Sequence, residues 1–175
     1  PNIIVFVALM AMLLTPHGVA LAEHAQTIAT RTLKPISIVT TQGSTAGDVT
    51  RMHTKDQSGT ADDPLKYVLF RTPSVAYQGY HTYTLPAIVS AGTVTNIKVN
   101  ANYKGPAKAT QTWSWYLFNW VTNTWVKVGD NTGAAANTWK MLQFDVTANP
   151  TNYINNLTRE IRLRLVSNNA TGDAK

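Results

Sequence analysis

The 175-residue chain contains no cysteine. This excludes a disulfide framework, a thiol nucleophile and any cysteine-ligated zinc or iron–sulfur centre, so stability must rest on an apolar core. Charge is sparse as well: charged residues make up 14% of the chain, and only nine residues are acidic. Hydrophobic residues reach 44%, which is the composition of a folded domain and not of a disordered tail. The formal net charge of +6 invites a nucleic-acid partner, but Lys55, Lys66, Lys98, Lys104, Lys108, Lys127 and Lys140 are scattered. Only Arg159, Arg162 and Arg164 fall close together. A polyanion site needs a basic patch or stripe, so the pattern speaks against nucleic acid.

Catalytic signatures are also missing. There is no glycine-rich phosphate loop and no G-x-S-x-G context around any serine. His24, His53 and His81 show no metal-ligand spacing and read as surface or packing residues. Asp62-Asp63-Pro64 reads as a solvated turn. Asp145 and Glu160 lie on strands, with nothing to pair them at the roughly 5–10 Å a glycosidase requires. The expectation is a chain that is not an enzyme, with no catalytic residue, no metal ligand and no cofactor. Structural calcium is the one alternative, because Gly129–Gly133 and Asn168–Asp173 are oxygen-rich. Both segments are equally good turns.

Long apolar runs are confined to one, Ile3–Leu14, followed by the breakers Pro16 and Gly18 and by Ala20-Leu21-Ala22. The run is shorter than the ~20 residues a membrane-spanning helix takes, and the small residues suit a signal peptidase. Residues 1–22 are therefore read as an export signal peptide, incomplete at its start because Pro1 stands where Met and a basic segment would be. Residues 23–35 form an N-terminal segment or linker, with Ala25–Leu33 helical or loose, and 36–175 form the folded module. The protein is expected to be secreted and extracellular, with no membrane attachment after signal cleavage.

What is abundant is Thr, Val, Tyr and Trp, punctuated by Gly, Asn, Asp and Pro, which is an all-β signature. Three segments alternate cleanly. Ile97, Val99, Ala101 and Tyr103 share one face of Thr95–Tyr103; Leu142, Phe144 and Val146 share one face of Lys140–Val146; Ile161, Leu163 and Leu165 share one face of Glu160–Val166. Strands with one apolar face need a second layer. The predicted fold is an antiparallel two-sheet β-sandwich of jelly-roll type. Further strands are expected near Ile36–Thr41, Val49–His53, Lys66–Arg71 and Tyr80–Leu85, and a crossover with one helical turn between Ala148 and Asn155. Asn168–Asp173 reads as a turn with no strand after it, so the module is expected to lack its last strand.

The segment Gln111–Val128 holds four of the five tryptophans. It reads as a hairpin with the loop Val121–Thr124, pairing Trp120 with Trp125, Phe118 with Lys127 and Tyr116 with Gly129. Parity sends Trp113, Trp115, Leu117, Val126 and Val128 to the core, while Trp139 is left open. Tyr116, Phe118, Trp120, Trp125 and Lys127 then form an outward row. Two readings of that row stand. It is either a platform on which sugar rings stack, with polysaccharide or glycan as partner, or a set of cross-strand pairs that stabilise the hairpin.

The run Tyr103-Lys104-Gly105-Pro106, then Gln111-Thr112-Trp113-Ser114-Trp115, Asn119-Trp120, Thr124-Trp125-Val126 and Glu160-Ile161-Arg162-Leu163-Arg164-Leu165 resembles β-sandwich modules of secreted bacterial proteins. These are similar to carbohydrate-binding jelly rolls and are often appended to enzymes or surface proteins. The resemblance spans about residues 93–173. It implies a non-catalytic carbohydrate-directed binding module, other domains of a larger secreted protein as partners, and one further strand at the end. The alternative is a structural or adhesive extracellular domain that packs on another domain or copy.

Overall fold

The computed structural model describes residues 1–9 and 27–175. Strands are β1 (Asn2–Leu9), β2 (Thr27–Leu33), β3 (Ser37–Gln42), β4 (Ser44–Ala46), β5 (Leu69–Arg71), β6 (Gln78–Thr84), β7 (Val94–Tyr103), β8 (Trp113–Asn119), β9 (Thr124–Asp130), β10 (Lys140–Val146) and β11 (Glu160–Ser167). Among the described residues helical structure is limited to three short 3-10 turns. One sheet has the order β10-β7-β1-β2, a second has β3-β6-β11-β8-β9, and β4 pairs with β5 in a two-stranded ribbon. All pairings are antiparallel. The sandwich expected from strand alternation is what forms.

The core lies between the sheets. Ile97, Val99, Ala101 and Tyr103 of β7 and Leu142 of β10 are buried, as are Trp113, Trp115 and Leu117 of β8 and Ile161, Leu163 and Leu165 of β11. Phe144 is half-buried and packs on the same cluster. Trp115 bridges the layers, with its ring 5.5 Å from Phe144 and 5.8 Å edge-on from Tyr103. Fully burying a large apolar side chain contributes about 1.5–3 kcal/mol, so these period-2 stripes account for much of the folding drive.

Three local expectations need correction. Val49–Met52 is a 3-10 turn, capped by Asp48 accepting from the Thr50 backbone N–H, and not a strand. The Asp48 carboxylate satisfies an amide that a ladder would otherwise take, which favours the turn. Lys66–Arg71 contributes only the three-residue β5. Thr27–Leu33, expected to be helical or loose, is the edge strand β2 beside β1. Its β-branched residues Thr30 and Thr32 suit that pairing. The turn between β10 and β11 forms as expected, at Pro150–Tyr153. The Ala20–Ala22 motif and His24 lie outside the described residues; the apolar run's beginning, Asn2–Leu9, is β1, with Ile3 and Val5 fully buried.

The long segment between the Val49–Met52 turn and β5 is tied down by polar anchors. Trp139 is buried, donates its indole N–H to Ala61 O at 2.8 Å and stacks on Tyr67. Buried Lys104 donates to Thr60 O and Ala61 O. Lys175 Nζ lies 2.6 Å from Asp62, and with Tyr67 it holds that carboxyl down to about 2 through hydrogen bonding. Asp62 thus anchors Lys175 to this segment, while Asp63 accepts from Leu65 N.

Candidate ligand-binding face

The outward face of the five-stranded sheet carries the hairpin aromatics. β8 and β9 pair Phe118 with Trp125 and Tyr116 with Lys127, and a bulge then sets Trp115 opposite Gly129. The expected register was two residues off along the strand. Asn119 is the reason: its Oδ1 accepts the backbone N–H groups of Val121 and Thr122, so the chain turns immediately after it. The loop is Trp120–Asn123, with Asn123 at φ 54°. Because the slip is even, parity survives. Trp113, Trp115 and Leu117 face the core, Val126 and Val128 pack against it, and the predicted row faces outward.

The row is a packed surface and not a loose fringe. Phe118 stands edge-on to Trp120 at 4.8 Å and to Trp125 at 5.1 Å, and Trp125 reaches Tyr80 of β6 at 6.0 Å. Tyr116, Phe118, Trp120 and Trp125 are half-buried. Sequence reasoning missed what binds them together. β11 lies between β6 and β8, and its wet face lays Arg162 over Tyr80, Phe118 and Trp120 and Arg164 over Tyr116 and Trp125, at 4.6–5.9 Å. Cation–π contacts of this kind contribute about 0.5–1 kcal/mol each at exposed sites. The alternation of Glu160–Val166 had already placed both arginines outward; only the pairing of β11 with β8 was not legible. The third nearby arginine does something else. Arg159, at φ 62°, donates to the backbone oxygens of Leu85, Pro86 and Val89.

The two platform arginines differ. Arg162 Nε contacts Glu160 at 2.6 Å, and that hydrogen bond raises its pKa above the usual guanidinium value. Arg164 pairs with no carboxylate among the described residues, and burial beside the rings pulls it below that value. Its Nε and the indole Nε1 of Trp120 are buried without an acceptor. Two unmet donors thus sit in an aromatic surface. Lys127 is exposed and turned toward the strand's end, 2.9 Å from Asp130.

Other candidate chemistry is dispersed. Asp145 pairs with Lys98 on the outward face of the four-stranded sheet, while Glu160 pairs with Arg162 on the outward face of the other. The two carboxylates therefore point away from each other across the sandwich. In the Gly129–Gly133 loop, Asp130 is bound by both Lys108 and Lys127. Partial burial would raise its carboxyl, but hydrogen bonds from Thr132, Lys127 and Lys108 outweigh this and hold it well below the usual carboxylate range. Asn131 is fully buried, donating to Tyr103 Oη, Pro106 O and Gln111 O and accepting from Trp113 N. Asn168 and Asp173 likewise accept from the backbone N–H groups of Thr112 and Thr72. These oxygens are committed to the fold. His53 Nε2 contacts Pro35 O, and His81 is wholly buried against Phe70. Among the described residues no three His, Asp or Glu side chains converge as a metal site would need.

The sequence model of one family, described as an N-terminal glycosyl-hydrolase-114-associated domain, matches residues 52–175. No curated protein and no solved structure matches the chain. The matched residues include the whole of β5 through β11 and hence the entire aromatic face.

Proposed function

The chain belongs to the N-terminal glycosyl-hydrolase-114-associated domains, and from that premise we propose that it is a non-catalytic, secreted accessory module that holds a glycan-directed protein on polysaccharide. The contact surface is the outward face of β6, β11, β8 and β9. Trp120, Phe118, Trp125, Tyr116 and Tyr80 present ring faces and edges for the apolar C–H surface of a sugar, while Arg162 and Arg164 supply donors for its oxygens. Lys127, beside Tyr116 in the ladder, lies at the rim.

One observation carries this reading: the buried donors Trp120 Nε1 and Arg164 Nε have no acceptor among the described residues. Native structures rarely leave buried donors unpaired, and polar groups set in an aromatic surface are the usual grammar of a ligand site. A hydroxyl of a sugar, or the carboxylate of an acidic sugar, is the acceptor class such donors take once the rings part around a bound ligand. Membership of a glycoside-hydrolase-associated family supports the carbohydrate direction, and the apolar run with its Ala-x-Ala motif supports export.

The test is retention on immobilised polysaccharides of the intact protein and of Trp120→Ala and Trp125→Ala variants. Each variant is expected to lose retention by at least about tenfold, as truncated aromatic anchors do, while circular dichroism stays that of the parent. Unchanged retention in both folded variants would move the site elsewhere and leave this face as a packing surface for the neighbouring domain.

A further inference from the structure

The rings of the aromatic face lean toward one another. In the order β6-β11-β8-β9, β6 and β9 stand three strand spacings apart, about 14 Å at the usual separation in a sheet. Yet the ring centres of Tyr80 and Trp125 are only 6.0 Å apart. Between them the two side chains bridge β11 and β8, and Arg164 of β11 lies against this cover. Its guanidinium carbon is 4.6 Å from the Trp125 ring centre and 4.9 Å from that of Tyr116.

The charged groups of the face are not equivalent. By register, Glu160, Arg162, Arg164 and Lys127 point outward with the rings. Arg162 commits its fork to Glu160, with Nε at 2.6 Å and a terminal nitrogen at 3.4 Å. Lys127 and Lys108 both bind Asp130, each at 2.9 Å. Arg164 makes no hydrogen bond and no ion pair among the described residues. Only its Nε is buried as well as unpaired, so its terminal nitrogens keep access to solvent. Half-buried, held against two rings and lacking a counter-ion, it is a fixed positive charge set in a stacking surface.

Resting on the sugar-binding reading of this face, we propose that Arg164 is its charge-reading position and that the glycan it takes is an acidic polysaccharide. A uronate carboxylate meets the terminal nitrogens of Arg164 while an adjoining sugar ring stacks on Trp120 or Trp125. A planar carboxylate accepts two parallel bonds from the edge of a guanidinium, which gives direction as well as strength. A guanidinium already held by rings loses little further freedom on pairing. Partial burial strengthens the pair relative to one formed by a lysine in open water. The scattered lysines add only a weak, undirected attraction that salt screens.

The test measures retention of the intact protein on three immobilised polymers: polygalacturonate, the same polymer with its carboxyls reduced to alcohols, and a sulfated dextran. Salt is held at ~0.15 M to suppress undirected attraction. The parent is expected to prefer polygalacturonate to its reduced form by at least about tenfold. Arg164→Gln should erase that preference while keeping most retention on the reduced polymer. Lys140→Gln, which removes the same charge from an exposed position on the other sheet, should leave the preference intact. Equal retention of the parent on polygalacturonate and its reduced form, with Trp120→Ala losing both, would keep the sugar-binding face and overturn its charge selection. No retention on either would overturn the face and the selection together. A loss in Lys140→Gln equal to that in Arg164→Gln, or tighter retention on the sulfated dextran, would overturn the carboxylate assignment at Arg164.

Discussion

At the scale of single residues, the informative groups are those whose environment denies them something. His81 is the clearest. Neither ring nitrogen has a hydrogen-bond partner among the described residues, and burial pushes its pKa from 6.5 down to about 3. The folded state thus holds a neutral imidazole while the unfolded chain binds a proton at any pH between those values. Stability falls as pH drops below 6.5 toward 3, by roughly 2 kcal/mol at pH 5. His81→Leu is expected to remove that part of the slope, read as a smaller difference in melting temperature between pH 7 and pH 5. An undiminished slope would place the acid sensitivity elsewhere. Arg164 is denied a counter-ion in the same sense. Arg164→Gln is expected to weaken retention on an acidic polysaccharide more than on a neutral one, and to flatten the salt dependence of the former. Equal loss on both would mean that the guanidinium acts through its donors and not its charge.

Elements show where local sequence suffices and where it does not. β7, β10 and β11 were legible because each alternates without interruption, from Ile97 to Tyr103, Leu142 to Val146 and Ile161 to Leu165. The hairpin was half legible. Parity sent Trp113 and Trp115 inward correctly, but the register depended on Asn119, whose side chain closes the turn one residue earlier than the turn-prone Thr122-Asn123-Thr124 suggests. The Val49–Met52 turn was not legible, and β5 was legible only in place and not in extent, since short segments at a sheet margin carry little periodicity. The arginine half of the site was hidden for a topological reason: β11 reaches β8 across a long sequence separation that no local pattern encodes. The hairpin's inner end rests on two features that mutation can test. Asn131→Ala leaves Trp113 N–H without its side-chain acceptor and opens a buried cluster, and should cost about 3 kcal/mol in a denaturation midpoint experiment. Gly129→Ala drives a methyl group into the Phe144 ring, and overpacking of this kind costs about 1–3 kcal/mol. A neutral result at Gly129 would mean that the bulge shifts to make room.

For the molecule as a whole, the two sheets divide the work. The four-stranded sheet has a polar outer face on β7 and β10, with Lys98, Asn100, Asn102, Gln143 and Asp145. The five-stranded sheet carries the aromatic–arginine face, built wholly from residues within the family match. Composition foretold this at the coarsest level: without cysteine and with few acids, the chain is a plain apolar sandwich whose distinguishing chemistry is aromatic. Which aromatics are core and which are surface followed from alternation, but what lies over the surface ones followed only from the fold.

The five tryptophans provide the most direct measurement. Their indole N–H signals can be followed by nuclear magnetic resonance while oligosaccharides are titrated into the intact protein. Trp120 and Trp125 should shift together and saturably, while Trp113 and Trp115, buried between the sheets, stay fixed. Saturable shifts confined to Trp139, or no shift with any glycan, would contradict a sugar-binding face on β8 and β9.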